Sequence, residues 1–134
     1  MKFWFLKSIN AYFDFLKEHL KQLSSVIVNS ELTFDQRTNI EGLLKGTIQF
    51  SDGSKLYVMK YIFIEKNKLI SNTYRFHWES IKEVLIKRWD NAPHHRDIKT
   101  YPYHLHDSNS LKESEPMSFL KVIELILDEM KNIV

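Results

Sequence analysis

The sequence of 134 residues contains no cysteine, only three glycines and only three prolines. The absence of cysteine excludes disulfide bonds and zinc sites with thiolate ligands, and it is typical of proteins from reducing compartments. With so few glycines and prolines, we expect few long irregular segments. The apolar run at residues 3–6 is too short for a signal peptide or a membrane span. We therefore expect a cytoplasmic protein.

A strong excess of charge of one sign is also missing. The chain has 19 Lys and Arg against 17 Asp and Glu, a net charge of +2, whereas proteins dedicated to duplex DNA usually carry a larger basic excess. The hydrophobic fraction of 43% and the charged fraction of 27% are those of a globular protein and exclude intrinsic disorder. The length predicts a single domain over residues 1–134 with a buried core.

Apolar residues at three- and four-residue spacing predict two amphipathic helices, one at each end of the chain. The first extends from about residue 5 to residue 23. The second follows Ser114, Glu115 and Pro116, which we interpret as a hydroxyl cap with proline in the first turn. Residues 91–115 show no periodicity, and we expect a long loop there.

Alternating apolar and polar residues predict about five mostly antiparallel strands, at residues 26–34, 44–50, 56–64, 71–78 and 84–90. Asp52 and Gly53 predict a hairpin turn. Residues 56–64 are almost entirely apolar, which is typical of a central strand covered on both faces. The two helices are the available cover for an apolar sheet face. The fold class is therefore α+β, a two-layer sandwich with both terminal helices packed on one face of the sheet.

The last two strands predict a hairpin in which Trp78 pairs with Glu83. In that register Arg75 and Arg88 lie on one solvated face and form an anion-binding patch. We expect Trp78 and Trp89 to pack in the core, as aromatic residues in strands usually do.

Five of the six histidines lie within the 30 residues 77–106, where an even spread would place about one. Imidazole titrates near neutral pH and suits acid–base catalysis, and arginine contacts phosphate through planar paired donors. Cleavage of RNA by internal attack of a 2′-hydroxyl requires a base, an acid and positive charge at the phosphate. The candidate catalytic residues are His77, Arg88, Asp90, His94, His95, His104 and His106.

Four further residues are candidates for substrate binding. Tyr101 and Tyr103 can stack on splayed bases, and Arg75 extends the basic patch. Asn91 is a candidate contact, although it fits equally well as a strand-ending turn residue that bonds to nearby backbone. We predict no metal and no cofactor. A metal-dependent phosphoesterase remains an alternative, because histidine and aspartate also supply metal ligands.

Three segments carry a family resemblance: residues 74–78 (YRFHW), 88–95 (RWDNAPHH) and 101–106 (YPYHLH). Together they resemble TumE-like proteins, the toxin components of type II toxin–antitoxin systems. At Leu105 a basic residue would be expected between the two histidines. The resemblance implies a bacterial or archaeal cytoplasmic protein that inhibits growth when its antitoxin is lost, and it assigns no catalytic residue.

The resemblance sets the expected partners, namely a cognate antitoxin and RNA, with a homodimer as a further option and no membrane. Ribonuclease activity is the commonest mode among small toxins of this type, which favours the RNA-cleaving interpretation. The alternative from another class is a non-enzymatic toxin or regulator that acts by binding, with the histidine-rich loop as its antitoxin interface.

Overall fold

A computed structural model describes residues 8–132, apart from the side chains of residues 69, 71 and 72. The chain forms an α+β fold with two helices and a single open antiparallel sheet. The elements are α1 (Ile9–Lys21), β1 (Ile27–Gln36), β2 (Glu41–Phe50), β3 (Lys55–Glu65), β4 (Lys68–Glu79), β5 (Leu85–Asp90), β6 (His104–Asp107), β7 (Leu111–Glu113) and α2 (Phe119–Lys131). The strands lie in the sheet in chain order. In the described residues, neither helix has the length and apolar character that crossing a membrane requires.

The sheet formed by the described residues has seven strands, so the prediction of about five is wrong. The five predicted strands are present as β1 to β5, and β6 and β7 lie inside the segment predicted to be a loop. Both additional strands are short and carry mostly polar side chains, HLHD and LKE. Residues 103–106 alternate apolar and polar side chains, but this run is too short to indicate a strand by itself, and β7 shows no such alternation. Pairing with β5 and with each other defines the two strands.

The predicted start of the second helix is also wrong. Ser118 is the N-cap of α2, and its Oγ accepts a hydrogen bond of 3.1 Å from the Lys121 amide. The Ser114 hydroxyl instead donates to the Glu115 carbonyl oxygen at 2.8 Å. Pro116 therefore precedes the helix. For α1 the cap is Ser8, and the predicted start at residue 5 lies outside the described residues.

The register separates the two faces of the sheet, because residues paired across antiparallel strands point to the same side. Phe76 pairs with Val58 on one side and with Trp89 on the other, and Trp78 pairs with Leu56. All five side chains are buried, as predicted for the two tryptophans. They define the core face of the sheet.

Contacts from both helices reach the core face. Ile9 of α1 lies against Gly42, where an added Cβ would come within 2.8 Å of the Ile9 Cγ2 atom. Phe119 of α2 packs on Phe76, with ring centroids 6.2 Å apart. The opposite face, which we call the open face, carries Tyr57 of β3 with 39% of its surface exposed. The expectation that this strand is covered on both faces is therefore wrong.

The β4–β5 hairpin has a different register from the predicted one. Trp78 pairs with Lys87 rather than Glu83, a shift of four residues. The shift arises because the connection is a turn in which the Ser80 amide donates to the Val84 carbonyl at 2.9 Å, with Glu83 at a φ of 64°. An even shift keeps each side chain on its predicted face.

We expect Ile126→Ala to lower the free energy of unfolding by about 2–5 kcal/mol, because truncation of a buried side chain leaves a cavity. Ile126 in α2 is fully buried. The matched control is Leu125→Ala at the next position, where 36% of the residue is exposed and the loss should stay below about 1 kcal/mol. Urea unfolding at constant m-value measures both changes. Equal losses in the two variants would contradict this placement of α2.

Candidate active site on the open face of the sheet

A row of three polar residues crosses the open face from β4 to β6. Arg88 in β5 pairs with His77 in β4 and with His106 in β6. Cross-strand partners have Cβ atoms about 5 Å apart, so each imidazole is a direct neighbour of the arginine. The His77 side chain is 25% exposed and the Arg88 side chain 26% exposed. We call this the His–Arg–His row.

A second row lies beside the first, two residues away in each of the three antiparallel strands. Asp90 in β5 pairs with Arg75 in β4 and with His104 in β6. The Asp90 Oδ2 atom lies 3.6 Å from the Arg88 Nε atom, so the two rows are linked through strand β5. Five of the seven predicted catalytic residues and Arg75 thus share one surface. We call it the polar patch, formed by Arg75, His77, Arg88, Asp90, His104 and His106.

His104 is held between two acceptors and is almost completely buried, with 3% of its surface exposed. Its Nε2 atom lies 2.6 Å from Asp90 Oδ1, and its Nδ1 atom lies 2.9 Å from the Pro102 carbonyl oxygen. A carbonyl and a carboxylate both accept hydrogen bonds, so both contacts are satisfied when each ring nitrogen carries a proton. The His104 ring therefore bridges the Asp90 carboxylate and the Pro102 carbonyl. No nitrogen of His104 remains for a substrate.

His95 reaches the edge of the patch from the loop after β5, at a φ of 58°. Its ring centroid lies 5.3 Å from that of His104 and 5.6 Å from that of His106. One nitrogen from each of these three rings lies within 4.8 Å of the others, a grouping that suits a metal ion. However, a bound ion would have to displace Asp90 or the Pro102 carbonyl from His104. The contacts made by His104 in the observed arrangement therefore favour its hydrogen-bonded role over metal binding.

Burial lowers the pKa of His77 below its ordinary value of 6.5. Glu79 opposes this shift, since its Oε1 atom lies 3.3 Å from His77 Nε2, while the positive charges of Arg88 and Arg75 lower the pKa further. His77 is therefore neutral near pH 7. Glu79 was not among the predicted site residues, although a position two residues from His77 on the same strand places it on the same face.

The pKa of His106 is also below 6.5, and loss of hydration is again the largest cause. The charge of Arg88 and the imidazoles of His104 and His95 lower it further, whereas Asp90 raises it. At neutral pH the row thus consists of one permanent cation between two neutral imidazoles. Such a trio can bind an anion at its centre and exchange protons on either side of it.

Two nitrogen atoms in the row have no hydrogen-bond partner. In the described part of the chain, Arg88 Nε and His77 Nδ1 are the buried side-chain nitrogens left in this state. Unsatisfied buried polar atoms are rare in folded proteins and are found at functional sites. Their position in one row supports a functional role for these strands rather than a purely structural one.

Comparison with known protein families identifies the family of this chain. A family model described as Toxin TumE matches residues 16–134, which include every strand of the sheet and α2. The chain belongs to the TumE toxin family. The resemblance seen in the sequence is therefore confirmed. No curated protein and no solved structure matches the chain.

Two predicted site residues of this TumE-family chain lie in the loop outside the polar patch. His94 is exposed, and its ring contacts only the edge of the His95 ring, with centroids 6.4 Å apart. Tyr101 is 38% exposed and lies beside the Arg96 guanidinium, which is 6.0 Å from the ring centroid. Neither residue pairs with the strands that carry the patch.

Two other predicted binding residues have structural contacts instead. Asn91 Oδ1 accepts a hydrogen bond of 2.9 Å from the Tyr74 amide, which extends the pairing of β4 and β5 by one position. This is the backbone-bonding role that the sequence left open for Asn91. Tyr103 is partly buried and packs against the hydrophobic core. Part of its ring surface is therefore used in this packing.

We expect acidification below pH 6.5 to destabilise this protein through His77 and His106. Both pKa values are lowered in the folded state, so the unfolded chain binds more protons in this range and the free energy of unfolding falls as the pH falls. His77→Gln and His106→Gln should each flatten this dependence. Urea unfolding between about pH 7.5 and about pH 5.5 measures the slope.

The control for this experiment is His19→Gln, which removes an exposed imidazole of α1 outside the candidate site. An unchanged slope in both site variants, or the same change in the control, would contradict the neutral state of the two imidazoles.

Proposed function

We propose that this TumE-family protein is the toxin of a type II toxin–antitoxin system and that it cleaves RNA without a metal ion. The observation that carries the proposal is the His–Arg–His row, in which a cation lies between two half-buried neutral imidazoles on the open face. The family match supports the toxin role. A cytoplasmic location and a cognate antitoxin are part of the same proposal.

In the proposed reaction, Arg88 binds the phosphate that links two nucleotides. One imidazole accepts the proton of the 2′-hydroxyl, whose oxygen attacks the phosphorus. The other imidazole, in its protonated form, donates a proton to the departing 5′-oxygen, so the products are a 2′,3′-cyclic phosphate and a free 5′-hydroxyl. Strands β4 and β6 lie two strand spacings apart, about 10 Å, which leaves room for a phosphate between His77 and His106.

The second row supports the first without contacting the reacting atoms. Asp90 lies 3.6 Å from Arg88 Nε and 2.6 Å from His104 Nε2, so it restricts the position of the arginine and is itself held by the buried His104 ring. Asp90 and His104 are thus proposed as positioning residues. Arg75 adds a second positive charge on the same face, which favours the approach of an anionic polymer.

The decisive test is incubation of the purified protein with a labelled mixed RNA, with and without a chelator. Cleavage that survives the chelator and yields cyclic phosphate ends supports the proposal. Cleavage that is lost with the chelator would point to a metal-dependent phosphoesterase. Absence of cleavage by a protein that still arrests growth would point to a toxin that acts by binding.

We expect Arg88→Ala, His77→Ala and His106→Ala each to reduce the cleavage rate by about 10²–10⁴, because each removes a group that acts on the phosphate or a proton. Growth inhibition without antitoxin should be lost in parallel. His19→Ala on α1 is the control and should retain both activities. Circular dichroism and melting temperature establish that the variants fold. Folded site variants that still cleave RNA at the normal rate would refute the assigned roles.

We expect kcat/KM for RNA cleavage to be highest below pH 6.5. The reacting form has one neutral and one protonated imidazole, and its population is greatest between the two pKa values. Since both pKa values lie below 6.5, the maximum lies there too, and the rate falls towards neutral pH. A pH–rate profile with a short oligonucleotide measures this. A maximum above pH 6.5 would contradict the assignment of His77 and His106.

A further inference from the structure

A groove of about 380 Å³ lies on the open face directly beside the His–Arg–His row. His77 belongs to both, because it pairs with Arg88 on one side and lines the groove on the other. The groove extends across β3 and β4, and its lining residues are Tyr57, Val58, Met59, Arg75, His77 and Glu79. Its volume is at the lower end of the range for small-molecule sites, which suits one nucleoside-sized group.

The groove combines an apolar surface with polar groups at its margin. Tyr57 and Met59 provide the apolar part from β3. Arg75 and the Glu79 carboxylate add a donor and an acceptor from β4. A nucleobase has the same division, with an apolar face that stacks and a polar edge that forms hydrogen bonds.

Tyr57 is the residue best placed to stack on a base. Its ring contacts the His77 ring at a centroid distance of 5.8 Å and an interplanar angle of 65°. Even with this contact, 39% of Tyr57 remains exposed. The ring therefore has accessible surface one strand away from the proposed reacting phosphate.

We propose that this groove is a subsite for one nucleobase of single-stranded RNA, next to the cleaved bond, with Tyr57 as the stacking residue. The inference builds on the proposed function, since it identifies the nucleotide adjoining the phosphate on Arg88. A base in a duplex has its faces covered by its neighbours, so stacking on Tyr57 requires an unpaired base. The toxin is consequently selective for single-stranded RNA over duplex RNA.

Binding and cleavage are measured separately to test the subsite. The binding probe is a labelled single-stranded oligonucleotide with 2′-O-methyl groups, which lacks the attacking hydroxyl and cannot be cleaved by this route. Tyr57→Ala should bind it about 5- to 150-fold more weakly, the range given by loss of one aromatic–base stack. Tyr57→Phe keeps the ring and should bind like the unaltered protein.

The matched control is Tyr61→Ala, which removes a tyrosine from the same strand and the same face. Tyr61 is bonded to Glu41 and lies outside the groove lining. This variant should retain the affinity of the unaltered protein. Urea unfolding of all three variants shows that they fold.

Oligonucleotides with a single abasic residue locate the subsite relative to the cleaved bond. Removal of the base that occupies the groove should weaken binding to the unaltered protein and should have no further effect on Tyr57→Ala. Equal binding of the intact oligonucleotide by Tyr57→Ala and the unaltered protein would overturn the subsite, even if RNA is cleaved. Tyr57-dependent binding without cleavage of ordinary RNA would sustain the subsite and refute the proposed reaction.

Discussion

The pairing of β5 with β4 on one side and β6 on the other is the constraint on which the candidate site depends. In an antiparallel sheet, residues that face each other across strands share a side. This rule places Arg88 between His77 and His106, and it places Trp89 in the core at the same time. A slip of one residue in β5 would bury the arginine against the helices and expose the tryptophan. The register that buries Trp89 in the core is therefore the same register that places Arg88 on the open face.

The two rows of the polar patch differ in burial and hydrogen bonding. Asp90 and His104 are buried and hydrogen-bonded, so they are suited to hold neighbouring groups in place. His77 and His106 are less buried than His104. In His77 one ring nitrogen contacts Glu79 and the other has no hydrogen-bond partner, so these outer imidazoles are suited to exchange protons. Hydrogen bonds to both ring nitrogens satisfy the buried polar atoms of His104, while partial burial keeps the outer imidazoles neutral near pH 7.

The proposed reaction and the proposed base subsite use adjacent parts of one surface. From β3 to β6, the open face offers an exposed aromatic ring, then an imidazole, a guanidinium and a second imidazole. In single-stranded RNA the base is attached to the sugar next to the phosphate, so the two proposed contacts would involve neighbouring groups of the substrate. The core face carries none of these functions and instead packs against the helices.

Local sequence patterns were sufficient for the α+β class, for strands β1 to β5 and for the core tryptophans, and they marked the segment that carries most of the candidate site. They identified the clustered histidines, and alternation within strands put Arg75, His77, Arg88 and Asp90 on one face. Strands β6 and β7 were missed, because both are too short for a periodic pattern to stand out, and residues such as His104 and His106 become strand residues through pairing with β5. Contacts between distant residues also decided that Asn91 bonds to the Tyr74 amide, that Tyr103 packs against the core, that His94 lies apart from the patch, and that Tyr57 borders a groove. Each of these depends on which distant residue comes to lie nearby, and that proximity is fixed only when the whole sheet assembles.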